Sequence, residues 1–213
     1  NYAVTFTDNM NIGDGATINI YTGDAKPDSS VSVHDVRGIY GNTDTPEKAA
    51  TLSIGKNAHI NMSMGTGHST AILTDNMDVD EGTQILITTK QDNNNRMDKN
   101  DIKFGADPNF NHYAPITMAF DSDGELHLKD GAKLQVIRDT QNAKAITPMI
   151  SFGNGGDGRK QVGITTGVNS PRYYTLTVDR GATLDLQDDT SSQGIANYKW
   201  DYSGYLDSDA TQN

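Results

Sequence analysis

One eleven-residue pattern recurs five times along this chain and leaves few folds open to it. The copies are Met10–Ile20, Leu52–Met62, Met77–Ile87, Leu126–Val136 and Leu176–Leu186. Each reads apolar, any, apolar, any, any, Gly or Asn, Ala or Thr, any, apolar, any, apolar. In the first copy Met10, Ile12, Ile18 and Ile20 are the apolar residues around Gly15 and Ala16. In the fourth, Leu126, Leu128, Leu134 and Val136 surround Gly131 and Ala132. Alternation at every second residue marks a strand with one buried face. Gly or Asn supplies the positive φ of a tight corner, and a small Ala or Thr fits inside it. The pattern therefore predicts two short strands meeting at a corner, with their apolar faces turned to one interior.

The copies start at residues 10, 52, 77, 126 and 176, at intervals of 42, 25, 49 and 50. The interval of 25 fits one turn of a repeating coil. The longer intervals fit two turns, or one turn with a long insertion. Further strands are predicted at Val31–Val33, Ile102–Phe104, Ile116–Phe120, Ile150–Phe152 and Val162–Ile164, with a single helical turn over 44–50. At about 4.8 Å per stacked turn, roughly seven to nine turns make a rod of about 35–45 Å. Parallel crossovers are right-handed in nearly all proteins. The expected fold is all-β: a right-handed parallel β-solenoid with long loop insertions. It forms one domain over 1–213, with 191–213 as a C-terminal cap or tail. The alternative is an antiparallel sandwich whose hairpins turn at Asp14-Gly15 and Asp130-Gly131, dipeptides that two-residue hairpin loops favour.

Charge and composition narrow the function. A net charge of -11 disfavours nucleic acid as a partner, since phosphate binding needs clustered Lys and Arg. No run of about 18 apolar residues exists to cross a bilayer. Hydrophobic residues make up only 34% of the chain, but their alternation argues against disorder. Cysteine is absent, which excludes disulfides, zinc–thiolate sites and cysteine nucleophiles and is compatible with a cell-surface location. The chain starts at Asn1 without a signal peptide or a C-terminal sorting motif, as expected of a fragment or processed segment whose targeting signals lie outside it.

If the repeats are scaffold, function belongs to the excursions between them. Arg159, Lys160 and Arg172 are notable positive charges in an acidic chain, either a clamp for the carboxylates of an acidic polysaccharide or part of a solvated loop. Tyr173 and Tyr174 follow them, and His112 and Tyr113 close the Asn- and Asp-rich stretch 91–114. Trp200 sits among Tyr198, Tyr202 and Tyr205, where aromatic faces either stack on sugars or cap an open end of the sheets. No cofactor is expected. The acidic runs 121–125 and 92–98 offer oxygen ligands for calcium, but neither completes an EF-hand. His59 and His127 fall on outward positions of the repeat and are expected to face solvent. No HExxH or GxSxG element is present.

The five copies with their Gly-Ala corners, the missing Cys and the Asn/Asp/Thr-rich surface resemble a known group over about residues 1–190. They are similar to the ligand-binding regions of cell-wall-anchored adhesins of lactobacilli, including the serine-rich repeat adhesins, which have a pectate-lyase-like β-solenoid. The resemblance implies a non-catalytic extracellular adhesin domain, monomeric within a larger protein. It also implies attachment to host-surface glycans, mucin or acidic polysaccharide, with binding that depends on pH. A polysaccharide lyase or hydrolase on the same scaffold is the alternative, with Asp179-Arg180 as candidate residues for a lyase. A rigid spacer is a third reading, disfavoured by the long and chemically distinct excursions.

Overall fold

The computed structural model describes residues 2–24, 35–42, 49–91, 114–118, 124–139, 149–152, 174–189 and 195–197. In chain order its strands are β1 (Tyr2–Thr7), β2 (Asn9–Ile12), β3 (Thr17–Tyr21), β4 (Asp35–Asn42), β5 (Thr51–Ile54), β6 (His59–Thr74), β7 (Asn76–Val79) and β8 (Gln84–Gln91). These are followed by β9 (Ile116–Met118), β10 (Gly124–Leu128), β11 (Lys133–Arg138), β12 (Ile150–Phe152), β13 (Tyr174–Val178), β14 (Thr183–Asp188) and β15 (Ile195–Asn197). Among the described residues there is no helix.

The strands form three parallel sheets. Sheet A runs β1, β4, the second half of β6, β9, β12, β15. Sheet B runs β2, β5, β7, β10, β13. Sheet C runs β3, the first half of β6, β8, β11, β14. The chain visits A, B and C in that order each time, and sequence order equals spatial order in every sheet. We call each repeat, with its B and C strands, a tier.

The five copies stack in register. Met10, Leu52, Met77, Leu126 and Leu176 are successive partners, as are Ile12, Ile54, Val79, Leu128 and Val178. In sheet C, Ile18, Ile60, Ile85, Leu134 and Leu184 align in the same way. These inward rows are the core: Leu52, Ile54, Ile60, Val79, Ile87, Leu126, Leu128, Leu134 and Val136 are all buried. Each fully buried aliphatic of this kind contributes roughly 1.5–3 kcal/mol relative to an exposed one.

The corner between B and C carries the prediction made from Gly and Asn. In every tier an N–H donates back three residues, as in Ala132 N to Lys129 O at 2.9 Å and Ala182 N to Asp179 O at 3.1 Å. The third residue of each turn has positive φ: Gly15 (64°), Asn57 (54°), Gly82 (69°), Gly131 (67°) and Gly181 (84°). A single positive φ at that position demands Gly or Asn. Two-residue type I′ hairpins need it at both central residues, and Asp14 and Asp130 do not have it. With every pairing parallel, the antiparallel alternative is excluded for the described strands. Ala58, Thr83 and Ala132 fill the inside of the corner, and Thr83 Oγ1 donates to Gly55 O at 2.6 Å.

The longer intervals resolve as one passage with insertions. Copies that start 42, 49 and 50 residues apart are immediate neighbours in sheets B and C. Among the described residues the expected seven to nine turns are not reached: five tiers make four steps, about 19 Å at 4.8 Å each. The bare passage is the 25-residue one, where β6 runs continuously from sheet C into sheet A. The strands expected at Ile116–Phe120 and Ile150–Phe152 are β9 and β12. Those at Val31–Val33, Ile102–Phe104 and Val162–Ile164 lie outside the described residues, as does most of the turn expected over 44–50. All the internal residues beyond the description, 25–34, 43–48, 92–113, 119–123, 140–148, 153–173 and 190–194, adjoin ends of sheet A strands. None interrupts the B–C corner.

Candidate functional site

The outward positions of sheet B alternate with the core rows and are polar. Asn9, Thr51 and Asn76 form one row, continued by Glu125 and Thr175. Glu125 joins it through its N–H, which donates to Asn76 Oδ1 at 2.9 Å. Asn11, Ser53, Asp78, His127 and Thr177 form the next. A period of two places both rows on the face opposite the core. Between them lies an open depression of about 350 Å³, lined by Thr51, Asn76, Met77, Asp78, Glu125, His127 and Lys129.

Its charged groups are tied to one another across tiers. Lys129 Nζ lies 2.9 Å from Asp78 Oδ2 and 3.8 Å from Asp80 Oδ1. The hydrogen bond to Asp78 raises the Lys129 pKa above its ordinary value, with the fields of Asp78 and Asp80 adding to it against the lowering effect of burial. His127 sits between carboxylates of the tiers on either side, with Nε2 3.1 Å from Asp179 Oδ1 and Nδ1 3.9 Å from Asp78 Oδ1. Neither Asp78 Oδ1 nor His127 Nε2 has a partner in hydrogen-bond geometry. The close approach of His127 to Asp179 is thus a proximity of polar groups, not an aligned bond. Such a surface offers several donors and acceptors at fixed spacing, which is what recognition of a hydroxyl-rich ligand uses.

The expectation that His127 simply faces solvent is corrected: it points outward, but its side chain is only 28% exposed against the two carboxylates. His59, by contrast, is exposed. Of the ligand-binding candidates, His112, Tyr113, Arg159, Lys160, Arg172, Tyr173 and Trp200 lie outside the described residues. Tyr174 begins β13, and its side chain is not described. For calcium, Glu125 of the run 121–125 is in the sheet B face, while Asp121 and Asp123 lie outside the description. No group of three or more His, Asp or Glu among the described residues is placed to hold a metal ion. Asp179 stands against His127, whereas Arg180 is exposed and does not line the depression.

Asp78 and Lys129 were not singled out by sequence reasoning. They occupy variable positions of the repeat, and their pairing emerges only when the third and fourth copies are aligned side by side. A second grouping was hidden in the same way. Arg138, two residues past the repeat, continues the inward alternation of β11 and is buried. Its Nε donates to Asp188 Oδ1 at 3.1 Å and its Nη2 to Asp188 Oδ2 at 2.6 Å. No protein-family model, curated protein or solved structure matches this chain.

Proposed function

We propose that the three sheets are the walls of a right-handed parallel β-solenoid, and that the chain is a non-catalytic extracellular domain that binds glycans at a bacterial cell surface. The constant order A, B, C with parallel neighbours supports the solenoid, and the rule for parallel crossovers supports its hand. The observation that carries the binding reading is the outward face of sheet B: polar rows in register, with an open depression across three neighbouring strands. A glycan laid along the stack meets a new set of hydrogen-bonding groups about every 4.8 Å. Host-surface glycans, mucin and acidic polysaccharide are the ligand classes proposed, with the domain monomeric within a wall-anchored protein.

Acidity enters through charge. At net charge -11 the domain repels polyanions near neutral pH, and proton uptake by carboxylates in acid relaxes that repulsion. Binding to mucin and to pectin is to be measured at about pH 4 and about pH 7. Tighter pectin binding in acid is expected, and equal binding at both would remove the pH dependence. Absence of binding to either polymer and to a glycan array would remove the glycan reading and leave a spacer. Incubation with polygalacturonate and calcium tests the lyase alternative, which sustained release of unsaturated product would establish.

A further inference from the structure

We infer that residues 199–202 form a sixth strand of sheet B, laid in parallel along the open edge of β13 with Trp200 beside Leu176 and Tyr202 beside Val178. The inference extends the stack itself and does not depend on the glycan reading.

The order of the strands leaves one place unfilled. The chain passes from sheet A to sheet B to sheet C in every tier, and β15 is a further sheet A strand, paired in parallel with β12. The next position in that order is on sheet B, next to β13. Among the described residues β13 pairs only with β10, so its other edge is open. Residues 198–213 follow β15 and lie outside the described residues.

Both the backbone and the side chains of β13 offer that edge to another strand. Asp179 N donates to Leu128 O at 2.9 Å. Alternate residues of a parallel strand bond to the same neighbour, so Thr177 also faces β10 and the N–H groups of Leu176 and Val178 face the open edge. A row of free N–H and C=O groups is a template for pairing. The side chains of the same two residues lack a neighbour on that side. Leu126 and Leu128 are completely buried, whereas their partners Leu176 and Val178 are 38% and 43% exposed.

The register comes from sheet A. Asn197 pairs with Phe152, Phe152 with Met118, and Met118 with Thr74. In the third tier Thr74 is followed by Asp75 and then by β7 (Asn76–Val79). The same spacing from Asn197 makes Tyr198 the link and 199–202 the strand. Trp200 then takes the place of Met77 and Tyr202 that of Val79, the two inward positions. Lys199 and Asp201 take the outward ones, and the residues alternate to match. A slip of one residue would turn Lys199 and Asp201 onto the apolar rows at the cost of desolvating two charges.

The sixth tier stops before its corner. The position that has positive φ in all five copies, always Gly or Asn, is Tyr205 here. The small residue inside the corner is replaced by Leu206, and the next two inward aliphatics by Ser208 and Ala210. A half tier leaves β13 less enclosed than β10, which has a complete tier on each side. It also gives Trp200 to the interior row and away from any sugar, while Lys199 and Asp201 lengthen the outward face of sheet B beside Thr175 and Thr177.

Amide exchange followed by NMR on the whole, unaltered chain tests the pairing. The N–H groups of Leu176 and Val178 are expected to exchange at least about 100-fold more slowly than free amides. Exchange at the rate of a free amide overturns the inference. Paired cysteines test the register, and the chain has no cysteine of its own to compete. Thr177→Cys with Asp201→Cys brings Cα atoms to about 4.8 Å, within disulfide range, whereas Thr177→Cys with Lys199→Cys leaves them about 8 Å apart, beyond it. Under oxidised glutathione the first pair is expected to close within one chain and the second to stay open. Any other result, including disulfides formed only between chains, overturns the inference. The exchange measurement needs no variant, so it decides the pairing even if a cysteine pair disturbs folding.

Discussion

Lys129 Nζ lies 2.9 Å from Asp78 Oδ2, an ion pair between residues 51 apart in sequence and one strand apart in space. It spans the third and fourth tiers along one edge of the depression. Because Lys129 is held above its ordinary pKa of 10.5, the sign of its effect on stability is set. The contribution is complete below the unfolded value and disappears as pH rises through the higher folded one. Urea denaturation from about pH 9 to about pH 12 is expected to show the gap between the unaltered protein and Lys129→Met shrinking toward zero. The gap itself is expected to be no more than about 1 kcal/mol, since both side chains are partly exposed. Lys56, raised by its hydrogen bond to Glu81, titrates in both proteins and cancels in the difference. A gap that is constant with pH would refute the assignment.

The corners allow backbone strain to be measured apart from packing. A Cβ on Gly131 meets nothing closer than Gly82 N at 3.7 Å, so Gly131→Ala tests φ alone. A loss of about 1 kcal/mol is expected in thermal or denaturant unfolding, as the left-handed conformation outweighs the entropy gained in the unfolded chain. Asn57→Gly, at the same position of its own turn, is expected to change stability by about 0.5 kcal/mol or less.

Gly65 presents the opposite case, where space and not φ is limiting. The register of β6 against β8 shifts between Met64 and Thr66, and Gly65 N donates to Thr22 Oγ1 at 3.0 Å. A Cβ there would overlap the Gly23 carbonyl, which is backbone and cannot swing aside. Gly65→Ala is expected to destabilise by about 1–3 kcal/mol. A neutral result in denaturant unfolding would mean that the β3–β6 pairing adjusts freely.

Equivalent positions of the repeat should differ by tier. Leu128 and Val178 are register partners, yet one is buried and the other 43% exposed. Leu128→Ala is expected to cost about 2–5 kcal/mol and Val178→Ala less than about 1 kcal/mol. Similar losses at both sites would contradict the difference in burial between the fourth and fifth tiers.

The strands and corners were legible because their causes are local. Ile12, Ile54, Val79, Leu128 and Val178 alternate with polar residues, and that period selects an extended chain with one apolar face whatever lies beside it. Gly15 and Asn57 mark turns for steric reasons contained within a few bonds. The intervals of 42, 49 and 50 were not decisive, since length alone does not distinguish a second turn from an insertion. His127 was read correctly as outward but not as enclosed by Asp78 and Asp179, which come from other copies.

What the sequence determined by itself is the repeating unit: two short strands, a Gly- or Asn-bearing corner, and an interior row of aliphatic side chains. Short-range sterics and apolar alternation suffice for that. Only the tertiary structure decided which copies are neighbours, and with them the pairs Lys129–Asp78, His127–Asp179 and Arg138–Asp188. Coulomb and hydrogen-bond energies depend on distances of a few ångströms. Between residues about 50 apart, those distances exist only after parallel register has brought the strands side by side.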